Sequence, residues 1–163
     1  MPRNLFPVAI AIFGYAAFVV GMAATYARLP ERMASHFDAS GVANGWMSRD
    51  SYVWFMVGTV TFVSLLMVGT FSLIRYLPNA VINIPRRDYW LAPERRDETA
   101  RTLARFGLLM AGFEGLFFLA IHLLVVAANK SQPATLSNDV WWLLAAFLAT
   151  TGVLAFKLYR RFA

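Results

Sequence analysis

Two side chains able to do chemistry interrupt one long apolar run of this sequence. Glu114 and His122 lie within residues 106–129, which otherwise carry no ionisable group. A charge at membrane depth costs something like 2.5–3.5 kcal/mol, so Glu114 has to face other helices or water. In that setting it suits a proton relay or an ion-binding carboxylate. The alternative is a neutral carboxyl hydrogen-bonded to a hydroxyl on a neighbouring helix, and Thr59, Thr61 and Ser64 are the candidates. Eight helical residues place His122 about 12 Å further along and about 80° around the helix, so the two side chains occupy adjoining faces without touching. A second titratable group, Glu31, His36 and Asp38, falls between two apolar runs. With His122 it could in principle hold zinc or copper, yet the spacing matches no ligand motif. The competing reading has His36 fixing its loop by hydrogen bonds and His122 packing between helices.

Other reaction centres find no support. The chain has no cysteine, which excludes disulfides, thiolate metal sites and thiol nucleophiles. The strings of nucleophile elbows, zincins, Walker loops and dinucleotide folds are absent. Two histidines fall short of a haem or di-iron ligand set. The expectation is a non-enzymatic chain with no catalytic residue, no metal and no cofactor.

The elements that position these residues follow from composition. Apolar residues make up 59% of the 163 and charged residues 15%, against about 45–50% and 25% in soluble domains. A core of this size cannot hide that much apolar surface, so a lipid bilayer is the expected solvent. Four segments are long enough to cross it: residues 5–27, 52–74, 106–129 and 140–156. The first has a longer apolar run than a secretory leader, so it is expected to be retained as a span. The fold class predicted is therefore an all-α membrane protein, a single domain of four transmembrane helices.

The net charge of +6 reports orientation rather than nucleic-acid binding. Arg3, the segment 75–105 and the C-terminus together hold eleven Lys and Arg, and the loops 28–51 and 130–139 hold four. The positive-inside rule then predicts both termini in the cytoplasm. Small residues four apart, Ala17 with Gly21, Gly21 with Thr25 and Ala111 with Gly115, permit close helix contacts, and Gly112 lies beside the last pair.

The two longer loops carry recognisable strings. The outer one, residues 28–51, reads L-P-x5-H-F-x3-G-x4-W from Leu29 to Trp46. This pattern resembles the amino-terminal module of SdpI-type bacterial toxin-immunity membrane proteins, a module of unknown function, and the likeness covers about residues 5–75. The inner one contains N-I-P-x2-D-Y-W-L-A-P-E-R-R from Asn83 to Arg96. It is similar to the cytoplasmic segment of small four-span members of the same family. No SdpI-type carboxy-terminal domain is recognisable in residues 75–163. The resemblance implies a multi-pass protein of a bacterial cytoplasmic membrane and, as a second reading, immunity against a membrane-active toxin.

Read from the residues alone, 82–90 mixes apolar and basic side chains and belongs along the inner headgroup layer. Tyr89 and Trp90 would anchor it, with a partner-docking platform as the alternative. Pro93 is predicted to open a helix at its favoured first position, with Glu94, Asp97 and Glu98 in the early turns and Arg101 and Arg105 snorkelling. The residues expected to carry the particular role of the chain are His36, Phe37, Gly41 and Trp46 outside, and Asn83, Pro85, Asp88, Tyr89 and Trp90 inside. Their expected work is loop architecture and partner contact. The function expected is that of an accessory or stabilising subunit, in contact with the bilayer and with another membrane protein or a second copy. A small proton-linked transporter is the least favoured alternative.

Overall fold

The computed structural model describes residues 5–163; Arg3, counted above with the basic side, lies outside them. The chain runs α1 (Leu5–Tyr26), β1 (Arg32–Phe37), β2 (Ala43–Ser48), α2 (Arg49–Leu73), α3 (Arg87–Trp90), α4 (Pro93–Ala128) and α5 (Asp139–Phe162). Short 3-10 turns at Ile74–Tyr76 and Asn79–Val81 join α2 to α3. Among the described residues, four helices are long and apolar enough to cross a membrane: α1, α2 with its 3-10 extension, α4 and α5. They coincide with the four predicted spans to within a few residues at most ends.

Three ends differ most: α5 runs on to Phe162 rather than ending at residue 156, and the starts of α2 and α4 differ for local reasons. α2 starts at Arg49 because Ser48 caps it, its Oγ accepting from the Ser51 N–H at 3.1 Å, and Asp50 suits the positive end of the helix. α4 starts at Pro93, as its sequence predicts, and continues through the third span without a break for 36 residues. At 1.5 Å per residue that is about 54 Å, well beyond a hydrocarbon layer of about 30 Å. Its first turns therefore stand outside the membrane, where the charges lie.

The loop between α1 and α2 departs from the all-α expectation. Residues 32–48 form an antiparallel hairpin with Arg32 opposite Ser48 and Phe37 opposite Ala43, with irregularities either side of His36. Alternation from Ala43 to Ser48 leaves Ala43, Gly45 and Met47 half-buried and Asn44, Trp46 and Ser48 exposed. That period of two is a strand pattern.

α4 is the centre of the bundle. It packs closely against α1 and α2, while α5 lies against α4 more sparsely. The α1–α4 contact is made by backbone. A Cβ on Gly115 would lie 2.6 Å from the Gly14 carbonyl carbon, and one on Gly112 would lie 2.5 Å from the Ile10 oxygen. Small residues were expected to permit such contact, but Gly14 is the member the four-apart pairs miss. It lies seven residues before Gly21, on the same helix face. Gly21 itself is tight against the Leu119 side chain. The core between α1, α2 and α4 is built from Phe18, Met22, Met56 and Val60, continuing into Leu29 and into Met33 of β1.

Candidate functional site

The α1–α2–α4 interface gathers polar side chains of three spans into two levels. At the first level Glu114 is 4% exposed. Ser64, one of three hydroxyls the sequence offers it, donates to Glu114 Oε2 at 3.1 Å. Thr61 is used elsewhere, paired with the Tyr15 hydroxyl at 2.7 Å. Glu114 Oε1 is buried without a partner, a deficit of about 1–3 kcal/mol for an unsatisfied polar atom.

At the second level His122 is fully buried between Thr25 and Tyr52. Nε2 lies 2.7 Å from Thr25 Oγ1 and Nδ1 lies 2.9 Å from the Tyr52 hydroxyl, with the two rings stacked at 5.8 Å. The protons can be assigned by counting. Thr25 has one hydroxyl proton, and its Oγ1 is placed to donate to the Gly21 carbonyl at 2.9 Å. Its oxygen then accepts from His122 Nε2–H, which leaves Nδ1 to accept from Tyr52. Every proton in the chain Tyr52–His122–Thr25–Gly21 is used, and the imidazole is neutral. It is a fastener between three helices.

Apolar side chains separate the two levels on α1, α2 and α4. Phe18 and Met22 lie between Tyr15 and Thr25 on α1, and Met56 and Val60 lie between Tyr52 and Thr61 on α2. On α4, Phe118, Leu119 and Ile121 fill the same interval. Phe18 and Val60 are fully buried. Among the described residues, packed apolar side chains therefore part the two polar levels of α1, α2 and α4.

The hairpin between α1 and α2 carries His36, Phe37, Asp38, Gly41 and Trp46. His36 is exposed and pairs through Nδ1 with Asn44 Oδ1 at 2.5 Å. Among the described residues, no three His, Asp or Glu side chains cluster as metal ligands would. Gly45 sits opposite His36, where a Cβ would lie 2.9 Å from the His36 Cβ. Phe37 is half-buried against the core. Asp38 Oδ1 closes the tip, accepting from Ser40 N–H, Ser40 Oγ–H and Val42 N–H at 2.9, 2.6 and 3.0 Å. These bonds, led by the Ser40 hydroxyl, hold the Asp38 carboxyl below its ordinary value of 3.8. Gly41 has φ +83, and a Cβ there would meet the Leu136 oxygen at 2.6 Å. Trp46 is half exposed under the Arg32 guanidinium, 5.3 Å from its ring.

The hairpin is bolted to the α4–α5 connection. Leu136 N–H donates to Gly41 O at 2.8 Å and Ala43 N–H donates to Ala134 O at 3.2 Å. Asn129 grips Ala34 from the other side, accepting its N–H at 2.8 Å and donating to its carbonyl at 2.9 Å. Asn129 is a residue the sequence reading missed. A polar amide at the end of an apolar span was its one signal.

At the opposite end, residues 74–92 form a strap over the start of α4 and the end of α5. Arg96 ties it down through Asn79 Oδ1 and the Leu77 carbonyl. Ile82 and Leu91 are buried, Pro85 is half-buried, and Asn83 and Asp88 are exposed, Asp88 beside Arg87 at 3.5 Å. Tyr89 lies between the Arg86 and Arg95 guanidinium groups, at 4.8 and 3.9 Å from its ring. Trp90 is turned inward. Its Nε1–H donates to Phe162 O at 2.9 Å, its carbonyl accepts from Thr99 Oγ1 at 2.8 Å, and its ring meets Phe162 edge-on at 5.3 Å. Trp90 thus joins α3, α4 and α5 rather than standing out as a headgroup anchor.

Residues 11–61 match the family model described as Domain of unknown function (DUF1648). The matched stretch covers most of α1, the hairpin and the first half of α2, and so includes His36, Phe37, Gly41 and Trp46. Neither a curated protein nor a solved structure matches the chain. The similarity therefore attaches to the hairpin and the two helices that carry it.

Proposed function

We propose that this chain is a non-enzymatic protein of a bacterial cytoplasmic membrane, working by contact as an accessory or stabilising subunit of a larger membrane complex. The observation that carries the reading is the separation of its intramembrane polar groups. Glu114 is bonded to Ser64, and His122 is consumed between Tyr52 and Thr25. Packed apolar residues divide them, which leaves surfaces as the means of action. α5 supports the same reading, since Phe162 is its one buried residue and its flank carries exposed Trp142, Leu148 and Phe156. The excess of Lys and Arg beside the strap and the end of α5 favours that end, with both termini, in the cytoplasm. Purification in mild detergent is expected to bring a second membrane protein, or a second copy, at fixed stoichiometry. A clean monomer would overturn the proposal. Because the chain lacks cysteine, single cysteines at Ser40 and Ala163 test orientation with an impermeant thiol reagent, and labelling of Ala163→Cys from outside would reverse it.

Immunity against a membrane-active toxin is the second reading. It draws on the SdpI-type likeness of the Leu29–Trp46 string and on the hairpin face that presents Arg32, His36, Asn44 and Trp46 to solvent. Cells lacking the gene should then be sensitised to such a toxin, and unchanged sensitivity removes the idea. Transport through Glu114 has the least support, because among the described residues packed apolar side chains lie between it and His122.

A further inference from the structure

The seam between α4 and α5 has a cationic mouth and an apolar throat. At the end where α5 finishes, a groove of about 500 Å³ is lined by Arg101, Arg105, Lys157 and Arg161, with Glu98 as the one acid. Glu98 is bonded to Arg161 at 2.5 Å, so the lining keeps three positive charges in excess. Below the charges the floor is apolar, made by Phe106, Leu109, Leu154 and Leu158. One helical turn deeper the same seam opens again into a groove of about 200 Å³ between Phe113, Leu116 and Phe117 of α4 and Leu143, Ala146 and Phe147 of α5.

We propose that this seam is a binding site for an anionic phospholipid, with its phosphate between Arg101 and Lys157 and one acyl chain laid along α4 and α5. Three features select this occupant. Along α4 the distance from Arg105 to Leu116 is eleven residues, about 16 Å, which matches the roughly 15 Å depth of one leaflet. A soluble anion would use the mouth and leave the throat empty. A zwitterionic phospholipid would bring its own ammonium group against the excess of positive charge, so charge complementarity favours a net anionic headgroup. The seam also explains how α5 stays beside α4 while packing so sparsely, since the lipid chain would complete the contact. This inference stands apart from the accessory-subunit reading.

The test uses the full chain in nanodiscs of phosphatidylglycerol and phosphatidylcholine, followed by detergent extraction and mass spectrometry of the lipid that remains. The wild type should retain about one phosphatidylglycerol per chain and discriminate against phosphatidylcholine. R101Q/K157Q should retain phosphatidylglycerol about thirtyfold more weakly, as loss of two headgroup charges implies. A146F, which fills the throat and leaves every charge in place, should also lose retention. Equal retention of the two lipids by the wild type would overturn the proposal without recourse to any variant. So would unchanged retention in both variants, or displacement of the lipid by millimolar inorganic phosphate, which would mark a free-anion site. Helix content and elution volume establish that each variant is folded.

Discussion

Asn129 holds the backbone of Ala34 by both its polar groups, with Oδ1 accepting the N–H and Nδ2 donating to the carbonyl. A third bond, Nδ2 to the Val125 carbonyl at 2.9 Å, fixes the amide to the helix it terminates. One side chain at the end of α4 thereby joins the edge of the hairpin to the bundle. Asn129→Leu is expected to leave the Ala34 N–H and C=O unpaired in a buried setting, at a cost of about 2–4 kcal/mol. Hydrogen exchange at residues 32–48 should accelerate while exchange in the spans stays slow. Uniform destabilisation of the whole chain would contradict this local role.

Gly14 should be the least replaceable glycine of the spans. Gly14→Ala drives a Cβ into the Gly112 backbone, which has no flexible end to move aside. The expected cost is about 1–3 kcal/mol or more, read as a lower thermal midpoint in detergent. Gly58→Ala is the control, because a Cβ there has nothing within 4 Å. That variant should match or slightly exceed the wild type, as an alanine favours helix over glycine.

The Tyr52–His122 hydrogen bond can be isolated by a double-mutant cycle. Tyr52→Phe leaves His122 Nδ1 without a donor, and His122→Phe leaves the Tyr52 and Thr25 hydroxyls without the ring. Each single change should cost about 1–3 kcal/mol. The double variant should cost less than the two added together, since the lost bond is shared. Strict additivity would mean that the bond contributes nothing to the folded state.

Acid should loosen the hairpin tip through Asp38. Its folded carboxyl lies below the ordinary 3.8 because the Ser40 hydroxyl and the Val42 and Ser40 N–H groups bond the ionised form. A depressed folded value stabilises the turn above the unfolded pKa, and that stabilisation is lost as pH falls through the folded value. The Ser40 and Val42 amide resonances should titrate together with a midpoint under 3.8. Asp38→Ala should abolish the transition and raise exchange at Gly41.

Periodicity and charge in the sequence determined the four spans, the orientation signal and the start of α4 at Pro93. These are properties of single segments, set by transfer of apolar side chains out of water and by proline's fit to a first helical turn. The hairpin was only half legible. The turn formers from Asp38 to Gly45 were visible, but the alternation that makes strands is interrupted at His36, opposite Gly45. The roles of Trp90, Asn129 and Gly14, and the partners of His122, were decided by tertiary structure alone. Each depends on a partner far along the chain: Phe162, Ala34, Gly112 and the pair Tyr52 and Thr25. A buried polar or close-packed group is defined by what faces it, and helix spacing on one segment cannot say what that will be.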